Sequence, residues 1–544
     1  MRSTVPSSLV LVLGLAAGTH ALPELAVSKR DGHLRASALA RGVLRRDGGT
    51  LQTNVYDVLT WSSGGAYYAN ITVGTPPQPQ VVILDTGSSD LYFDASSSTT
   101  CESSGQYSCR GGSFSPKDSS TYRIADPSPA FNTSFGDGST AVGPYGKDVV
   151  AIGDVSIDNV QFGVAETVNS TTGYAIGLMG VGYSENEATQ QVYPNIPEVL
   201  RDAGVINSRL YSVYLNDEAT TGSILFGGVD TSRYTGELVT LDLLPDEVTG
   251  EVDQFITTVT ALTATVGGTT SSLFSGGTNG VAAYGNNDIA LPVLLDTGSS
   301  AWSVPTEYYN KLIGPAFPYV DSNGLCACSH ADSSDSLTLT FGGKINITVP
   351  AHEFIIPLYN ATTNAPIPYN SAGEMACAFM VVPASPTGEG FQTCGDAVLR
   401  SMYIVFDLDN GQVSLAQANL NATSSHVVTV SSGPSGVANA VGTASYSPAP
   451  SETYSIAPQA MNASASFSVS TMHSTLGEAT GTAALPEDAR PSGTGSTTEG
   501  TSTSSSSKGA AAAGVGVTGP FEWSRVWVAG AVGMGVVVGA GLVL

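Results

Sequence analysis

The motif Asp-Thr-Gly-Ser-Ser occurs twice in this chain, at residues 85–89 and again at residues 296–300. An apolar run precedes each copy, Val-Val-Ile-Leu before Asp85 and Val-Leu-Leu before Asp296. A run of this kind predicts a buried strand, and Thr-Gly-Ser predicts a tight turn that leaves the carboxylate facing a cleft. Two such loops, one from each half of the chain, can bring two carboxylates face to face.

Two carboxylates held this close share one proton over a broad acid range. At a separation of about 3 Å and an effective dielectric constant of about 20, two negative charges repel by about 5 kcal/mol, or about four pKa units. One member can then act as a general base toward a water while the other acts as a general acid. An ordinary turn with the sequence Asp-Thr-Gly is the alternative for each copy, but a turn alone does not predict the second copy.

Composition limits the partners and the fold class. The chain has 544 residues, enough for two or three domains, and its net charge of −26 argues against a nucleic-acid partner. From about Tyr56 to Ala418, short runs of β-branched and aromatic residues alternate with Gly-containing turns, which predicts a β-rich region. Helices are predicted at only a few places, among them residues 195–204 and 305–314.

The N-terminal segment predicts entry into the secretory pathway. Residues 1–21 contain one Arg, a short uncharged apolar run and small residues before a cleavage point near Ala21, as in a signal peptide. A membrane anchor fits less well because the run is short. Residues 22–46 contain dibasic pairs at 29–30 and 45–46, and we interpret this segment as a propeptide. A solvated basic stretch is the alternative.

The C-terminal segment predicts a stalk and a lipid anchor. Residues 421–525 are rich in Ser, Thr, Ala, Gly and Pro, a composition that cannot bury enough apolar surface to fold alone. Residues 526–544 carry no charge and would span about 28 Å as a helix. Small residues around 507–514, a polar spacer and an apolar tail are typical of a glycosylphosphatidylinositol signal. A retained transmembrane helix is the alternative.

Secretion permits disulfides, and the even number of cysteines favours them. We expect Cys101 to pair with Cys109. The other four cysteines allow three pairings, of which we favour Cys328 with Cys377. A zinc site at Cys326-Ala-Cys328 lacks a second close pair or a flanking His at ligand spacing, so no metal or cofactor is expected. The six cysteines are Cys101, Cys109, Cys326, Cys328, Cys377 and Cys394.

Asn-X-Ser/Thr sequons, the acceptor sites for N-linked glycans, fit the same compartment. They begin at Asn70, Asn132, Asn169, Asn346, Asn360, Asn421 and Asn462.

Further motifs accompany the two Asp loops and together point to a family. They are Gly-Leu-Met-Gly at 177–180, Thr-Cys-Gly-Asp at 393–396 and Gly-Ser-Ile-Leu-Phe-Gly-Gly-Val-Asp at 222–230. With these motifs, residues 55–418 resemble the pepsin-like fungal aspartic proteases, and the stalk and anchor signal are similar to those of the cell-surface group that includes the yapsins. The resemblance implies an all-β, bilobal acid protease fold with pseudo-twofold symmetry and a central active-site cleft. Residues 47–237 would form the N-terminal lobe and residues 238–420 the C-terminal lobe.

The resemblance also implies roles for the residues of the two loops. Asp85 and Asp296 would bridge the attacking water as the catalytic dyad. The two threonines would interlock the loops, the serines would donate to the outer carboxylate oxygens, and the glycines would keep the loops tight. These supporting residues are Thr86 and Thr297, Ser88 and Ser299, and Gly87 and Gly298.

The segment that aligns with the family's flap departs from the usual pattern. Phe135 occupies the position where a Tyr is usual, followed by Gly136 and Asp137, and Tyr92 stands where a Trp is common. We hypothesise that Phe135 packs over Tyr92, so that the hydroxyl has moved from flap to loop; independent variation of the two aromatics is the alternative. Asp137 could pair with a basic residue of the substrate, or it could simply favour the turn.

Three other functions share some of these sequence features. A Ser-His-Asp hydrolase is disfavoured because His330 and His352 have no nucleophile-elbow motif nearby. An actin-like phosphotransferase also uses two Asp-X-Gly loops, but secretion and disulfides count against it. A pepsin-fold cell-wall glycoprotein without activity stays open because of Phe135 and Cys394.

The preferred interpretation is an endopeptidase of protein or peptide substrates that works in acid. We expect a monomer tethered at the cell surface through its lipid anchor. In the zymogen, the basic residues Lys29, Arg30 and Arg35 would cover the acidic cleft.

Overall fold

The computed structural model of the protein describes residues 49–447, with gaps at 59–65, 103–108, 126–129, 137, 171–174, 190, 217–220, 247–248, 276–290, 361–364, 385–391 and 443–445. The predicted signal peptide, the propeptide, the chain beyond residue 447 and Asp137 lie outside the described residues.

Strands dominate the first half of the chain, in agreement with its β-branched and aromatic runs. In chain order they are β1 (Leu51–Val58), β2 (Ala66–Val73), β3 (Gln78–Asp85), β4 (Leu91–Asp94), β5 (Arg123–Ile124), β6 (Phe131–Ser134), β7 (Thr140–Gly143), β8 (Tyr145–Ile152), β9 (Val155–Ala165), β10 (Thr167–Asn169), β11 (Gly177–Gly180), β12 (Leu210–Tyr214), β13 (Thr221–Phe226) and β14 (Gly228–Asp230).

The second half is equally rich in strands, which confirms the predicted all-β class. They are β15 (Tyr234–Asp242), β16 (Ile256–Val266), β17 (Thr269–Ser275), β18 (Leu291–Leu295), β19 (Trp302–Val304), β20 (Leu325–Ala327), β21 (Ser336–Phe341), β22 (Ile345–Pro350), β23 (Ile355–Pro357), β24 (Ala376–Phe379), β25 (Val381–Pro383), β26 (Gln392–Cys394), β27 (Met402–Asp407), β28 (Gln412–Ala418), β29 (Val427–Thr429) and β30 (Tyr446–Ser447).

Helices are short. The predicted helix at 195–204 is present as Ile196–Asp202, whose first turn is capped by the side chain of Asn195, with Pro197 inside it. The predicted helix at 305–314 is present as two short helices, Thr306–Tyr308 and Gly314–Ala316, with a π-helical turn, Tyr309–Ile313, between them. Within the described ranges no helix is long and apolar enough to cross a membrane. The helices are α1 (Thr99–Glu102), α2 (Ile196–Asp202), α3 (Thr306–Tyr308), α4 (Gly314–Ala316), α5 (Ala351–Phe354), α6 (Asp396–Leu399) and α7 (Gly436–Val441), with 3-10 turns at Pro116–Asp118, Ser184–Asn186 and Cys328–His330.

The same strand arrangement occurs once in each half. In the first half, β11 lies parallel to β3 and antiparallel to β4, and β4 lies parallel to β9. In the second half, β26 lies parallel to β18 and antiparallel to β19, and β19 lies parallel to β25. This repetition gives β3 and β18, the strands that lead into the two Asp-Thr-Gly loops, equivalent positions.

A shared sheet joins the two halves. Strand β12 pairs antiparallel with β27, from Leu210 opposite Asp407 to Tyr214 opposite Tyr403. Around this pair the strand order is β15, β28, β27, β12, β13, β1, so that strands from both halves of the chain form one central sheet. The predicted lobe boundary between residues 237 and 238 falls inside β15.

One face of the central sheet supports the first Asp loop. On this face Tyr211 stacks on Phe406, with ring centroids 5.1 Å apart, and Phe255 packs on Phe406 at 4.5 Å. The Tyr211 hydroxyl donates to the carbonyl of Val181 (3.0 Å), and the Val181 amide donates to the carbonyl of Asp85 (3.0 Å). The core therefore extends directly to the backbone of the loop.

The opposite face of the central sheet is covered by residues 425–447, which we call the C-terminal strap. Strand β29 pairs antiparallel with β14, and β30 pairs parallel with β15. Val430 and Val437 are buried in the same cluster as Leu210 and Tyr403. The predicted start of the stalk at residue 421 is therefore too early. A few apolar residues in a Ser-rich segment cannot form a core alone, but they suffice to cover an existing sheet face.

Asp230 fixes the beginning of the strap. Its carboxylate accepts hydrogen bonds from the Ser425 hydroxyl (2.6 Å) and the His426 amide (2.7 Å), and Arg233 lies 3.4 Å away. Burial alone would raise the pKa of Asp230, but the hydrogen bonds, led by that of Ser425, outweigh burial and lower it. The carboxylate of Asp230 therefore stays ionised in mild acid and keeps its hydrogen bonds to the strap.

Both predicted disulfides are confirmed. Cys101 is bonded to Cys109, and Cys328 is bonded to Cys377. The two other cysteines, Cys326 and Cys394, are free and buried.

Replacing Val430 in the strap by Ser should lower the free energy of unfolding by about 2 kcal/mol, because a buried valine loses its apolar contacts. Val430 is 1% exposed, whereas Val427 in the same segment is 40% exposed and offers a matched control. Denaturant unfolding of Val430→Ser and Val427→Ser would measure both. Equal stability of the two variants would show that the strap adds nothing to the fold.

Because the carboxyl group of Asp94 is buried, we expect the fold to lose stability as the pH rises. Asp94 is 1% exposed, neither carboxyl oxygen has a hydrogen-bond partner among the described residues, and burial raises its pKa from 3.8 to about 7. Because the pKa of Asp94 is raised in the folded state, this residue contributes fully to stability below about pH 4. The contribution decreases as the pH rises and is lost above about pH 7, which lowers the free energy of unfolding by roughly 4 kcal/mol.

The variant Asp94→Asn, which cannot ionise, should therefore lose less stability than the wild type between pH 4 and pH 8. Melting temperatures across that range would show the difference, with the exposed Asp158→Asn as the control. Parallel curves for wild type and Asp94→Asn would contradict the assignment.

Candidate active site

The two Asp-Thr-Gly loops meet between the halves of the molecule. Asp85 is the last residue of β3 and Asp296 directly follows β18. Each is tied to the neighbouring parallel strand: the Val181 amide donates to the Asp85 carbonyl, and the Asp296 amide donates to the carbonyl of Cys394 (3.1 Å). Asp85 is 5% exposed and Asp296 is fully buried. Both acids are therefore fixed at the ends of buried strands.

Reciprocal hydrogen bonds of two threonines lock the loops together. The Thr86 hydroxyl donates to the carbonyl of Leu295 (2.7 Å) and accepts from the amide of Thr297 (3.0 Å). In the same way, the Thr297 hydroxyl donates to the carbonyl of Leu84 (2.8 Å) and accepts from the amide of Thr86 (3.2 Å). These buried bonds make the position of one loop depend on the other.

The two glycines allow each carboxyl group to lie against the opposite loop. A Cβ atom on Gly87 would lie 2.7 Å from Cγ of Asp296, and a Cβ atom on Gly298 would lie 2.6 Å from Oδ1 of Asp85. Any side chain at either position would occupy the space of the partner's carboxyl group. The amides of Gly87 and Gly298 also donate to Oδ1 of the aspartate in their own loop, each at 2.8 Å.

The two serines break the symmetry. The Ser88 hydroxyl donates to Oδ2 of Asp85. The Ser299 hydroxyl instead donates to the carbonyl of Ala301 (3.3 Å), and Oδ2 of Asp296 has no hydrogen-bond partner among the described residues. The expectation that Ser299 donates to Asp296 is therefore wrong for this structure, because its hydroxyl is engaged by a backbone carbonyl of its own loop.

This asymmetry gives the two carboxyl groups different electrostatic environments. Burial raises the pKa of Asp85, while the hydrogen bond from Ser88 opposes the increase. Burial raises the pKa of Asp296 well above its usual value, and the nearby charge of Asp85 raises it further. Of the two acids, Asp296 therefore has the stronger tendency to hold a proton. In the described part of the chain, no group of three or more His, Cys, Asp or Glu side chains is arranged to hold a metal ion.

The aromatic side chains of the flap and the loop lie next to each other. The ring centroids of Phe135 and Tyr92 are 6.3 Å apart, and Tyr92 also packs on Phe131 at 5.3 Å. The Tyr92 hydroxyl donates to the carbonyl of Ile176 (3.4 Å). Gly136 lies in the turn of the hairpin that follows Phe135. The structure thus brings Phe135 and Tyr92 together, while Asp137 lies outside the described residues.

The sequence does not predict the buried hydrogen-bond network that is centred on Asp90. Asp90 is 4% exposed, and its Oδ1 accepts from the hydroxyls of Tyr145 (2.9 Å) and Tyr193 (2.6 Å). Its Oδ2 accepts from the amide of Ala188 (2.6 Å). Asp90 follows the first Asp loop, and the Tyr145 ring packs on Phe131 at the start of the flap hairpin. The network therefore connects the loop to the root of the flap.

Glu187 adds a second carboxyl group to this network. It is 3% exposed, its Oε2 accepts from the amide of Tyr193 (2.8 Å), and its Oε1 has no partner among the described residues. Burial raises the pKa of Glu187 to about 10, so it is uncharged in acid. Asp90 directly follows the first Asp-Thr-Gly-Ser-Ser motif, but no local signal identifies Tyr145 or Tyr193 as its partners.

A buried cation lies near the second Asp loop. Arg400 is 3% exposed and donates to Oε2 (2.5 Å) and to the carbonyl (2.8 Å) of Glu353. Its charge also acts on Asp396, which belongs to the predicted Thr-Cys-Gly-Asp motif and is 1% exposed. Burial raises the pKa of Asp396, and Arg400 opposes the increase. Arg400 thus compensates for acids buried around α6.

Comparison with known proteins agrees with this architecture. The family model described as eukaryotic aspartyl protease matches residues 66–418, which is more than half of the chain. The chain therefore belongs to the eukaryotic aspartyl protease family and is an enzyme of the aspartic-type endopeptidase class.

Similar proteins carry names from the same class. The probable aspartic-type endopeptidase opsB of Aspergillus fumigatus is 35% identical over 383 residues, covering 69% of this chain and 73% of that protein. The protein of the same name from Aspergillus oryzae is 37% identical over 385 residues, with the same coverage of each chain. Candidapepsin-4 of Candida albicans is 31% identical over 370 residues, covering 66% of this chain and 78% of that protein.

Removing both phenol donors from Asp90, in the double variant Tyr145→Phe/Tyr193→Phe, should raise the KM for peptides about tenfold with a smaller change in kcat, because the flap root loses two bonds to a buried carboxylate. The variant Tyr319→Phe is the control, since that hydroxyl donates to Asp335 (3.0 Å) in the second half. Steady-state kinetics of both would settle the role. If the double variant and the control changed KM equally, Asp90 would not position the flap.

Proposed function

We propose that this enzyme is an acid endopeptidase in which Asp85 and Asp296 form the catalytic dyad. The observation that carries the proposal is the pair of equivalent loops, interlocked through Thr86 and Thr297, in which each carboxyl group lies against the glycine of the other loop. Both acids are intact, which favours activity over an inactive pepsin-fold glycoprotein.

The chemistry follows from the single shared proton. A water held between the carboxyl groups gives a proton to ionised Asp85 as its oxygen attacks the peptide carbonyl, and Asp296 gives its proton to the carbonyl oxygen. The resulting tetrahedral diol then collapses: one of its hydroxyls gives a proton back to Asp296, the C–N bond breaks, and the leaving nitrogen receives the proton held by Asp85. Ser88 stabilises the ionised form of Asp85. No bond between enzyme and substrate forms.

Activity should be confined to acid. The reactive form carries one proton on the pair, so activity disappears when the pH rises through the pKa of Asp296, which is raised by burial and by the charge of Asp85. At pH values below the pKa of Asp85, that acid is protonated as well and the general base is lost. The pH profile should therefore be bell-shaped.

The substrate would lie in the cleft beneath the flap, covered by Phe135. We further propose that the enzyme accepts basic residues next to the cleaved bond, through Asp137, which follows Gly136 in the sequence. Its position two residues after Phe135 in the sequence supports this assignment. The charge of a carboxylate at this point would pair with a Lys or Arg side chain of the substrate.

For the whole chain, we propose secretion, propeptide removal and tethering at the cell surface. Residues 1–21 would be the signal peptide and residues 22–46 the propeptide, while the stalk would begin after the C-terminal strap and end at the lipid-anchor tail, 526–544. The two disulfides and the sequons support passage through an oxidising compartment. We expect the mature enzyme to be a monomer.

The test uses residues 47–447, which retain the strap, beside the variant Asp296→Asn. In a mixed peptide library at pH 4, the variant should lose about a thousandfold in cleavage rate, since general acid catalysis is removed. The exposed Asp158→Asn is the matched control. Undiminished cleavage by Asp296→Asn would refute the dyad, and no cleavage by any form would favour the inactive glycoprotein. The residues that flank the cleaved bonds would test the basic preference.

A further inference from the structure

The hairpin that carries Phe135 belongs to a three-stranded sheet, which we call the flap sheet. Strand β7 lies in the middle, with β6 on one side and β10 on the other, so both outer strands are edge strands within the described residues. Two rows of residues cross this sheet. They are Asn132, Val142 and Thr167 in one row, and Ser134, Thr140 and Asn169 in the other.

The flap sheet has a buried face and an outer face. Phe131, Thr133 and Ala141 alternate with the two rows along their strands and are buried. Phe131 and Ala141 belong to the cluster that contains Tyr92, the aromatic residue that follows the first Asp loop. The two rows therefore lie on the face that points away from the loop, and in this outer face Val142 is 37% exposed.

Each edge strand presents one sequon on the outer face. Asn132 begins Asn-Thr-Ser on β6, and Asn169 begins Asn-Ser-Thr at the end of β10. Both asparagines are exposed. Across the sheet they are separated by two strand spacings, and along the strands by two residues. The distance between them on this face is therefore about 12 Å.

We propose that Asn132 and Asn169 both carry N-linked glycans, and that this pair shields the flap sheet so that the enzyme cleaves flexible peptides in preference to folded proteins. The substrate part of this proposal rests on the endopeptidase function proposed above. It adds a modification site and a substrate class that the dyad alone does not define.

The modification itself is a group transfer from a polyprenyl-diphosphate oligosaccharide, the donor class used in the secretory pathway. The Asn side-chain nitrogen forms a bond to C1 of the first sugar as the bond from C1 to the phosphate oxygen breaks. The amide nitrogen loses one proton, and the polyprenyl diphosphate leaves with the electron pair of the broken bond. Ser134 and Thr171 supply the sequon hydroxyls.

The shielding follows from where the glycans would sit. Edge strands offer unpaired N–H and C=O groups to other polypeptides, and β6 and β10 are the two outer strands of the flap sheet. On β10, the carbonyl of Val168 accepts a hydrogen bond from the Thr100 hydroxyl (3.3 Å), so this edge is partly occupied. A bulky, hydrated glycan on each edge strand would block both edges and cover Val142 between them. A flexible peptide enters the cleft without touching this outer face. The body of a folded protein, by contrast, would have to approach the flap closely and would collide with the glycans.

The experiment compares glycan-free variants of the enzyme made in a glycosylating eukaryotic host. Asn132→Gln/Asn169→Gln removes both acceptors, and Ser134→Ala/Thr171→Ala removes both sequons but keeps the asparagines. Asn346→Gln is the matched control, since Asn346 is an exposed sequon residue on β22 in the other half. Mass spectrometry after enzymatic deglycosylation, which converts a modified Asn to Asp, gives the occupancy of each site.

Two substrates contain the same cleavable sequence, once as a short fluorogenic peptide and once in a surface loop of a native globular protein. Both double variants should raise the ratio of protein to peptide kcat/KM by about fivefold or more, while the peptide value stays within about twofold. The control should leave the ratio unchanged.

Several results would overturn the proposal. One is the absence of a glycan on Asn132 or Asn169 when Asn346 carries one. Another is an unchanged ratio in glycan-free enzyme, and a third is a change in the Asn→Gln variant alone, which would trace the effect to the amide side chains. If no form cleaved even the peptide, the endopeptidase function would fail, and the substrate part of this proposal would fail with it.

Discussion

The reciprocal hydrogen bonds of Thr86 and Thr297 are the contact on which the rest of the structure depends. Two buried carboxyl groups repel each other when charged, and each loses its hydration, so neither would stay beside the other without support. The threonines hold the loops at buried strand ends that the repeated sheets place opposite each other. A single proton shared by the two acids, as proposed above, would remove most of the remaining repulsion, because only one of them would be charged.

Within this symmetric frame, the side chains are not symmetric. The Ser88 hydroxyl donates to Asp85, while the Ser299 hydroxyl is engaged by the carbonyl of Ala301 and leaves Oδ2 of Asp296 without a partner among the described residues. The Asp90 network connects the flap to the first loop. A duplicated backbone thus provides equal positions, and a few unequal side chains give the two carboxyl groups different environments.

How far the sequence predicts this structure depends on how local each feature is. The β-rich region, the buried strands that lead into Asp85 and Asp296, the helix at 195–204 and the Cys101–Cys109 disulfide follow from apolar runs, caps and nearby cysteines, which are visible in short segments. The pairing of Cys328 with Cys377 is one of three that the sequence allows, and the fold selects it. The partner of the Ser299 hydroxyl was predicted wrongly, since it depends on a side-chain rotamer. Tyr145 and Tyr193 meet Asp90 only after the sheets have formed, and the strap folds only against a face that other strands create.

The C-terminal strap also gives the central sheet a second buried face. Tyr211 supports the Asp85 loop from one face of this sheet, and the strap covers the other face through Val430 and Val437. Loss of the strap would therefore expose apolar side chains to water directly behind the strands that support the first Asp loop.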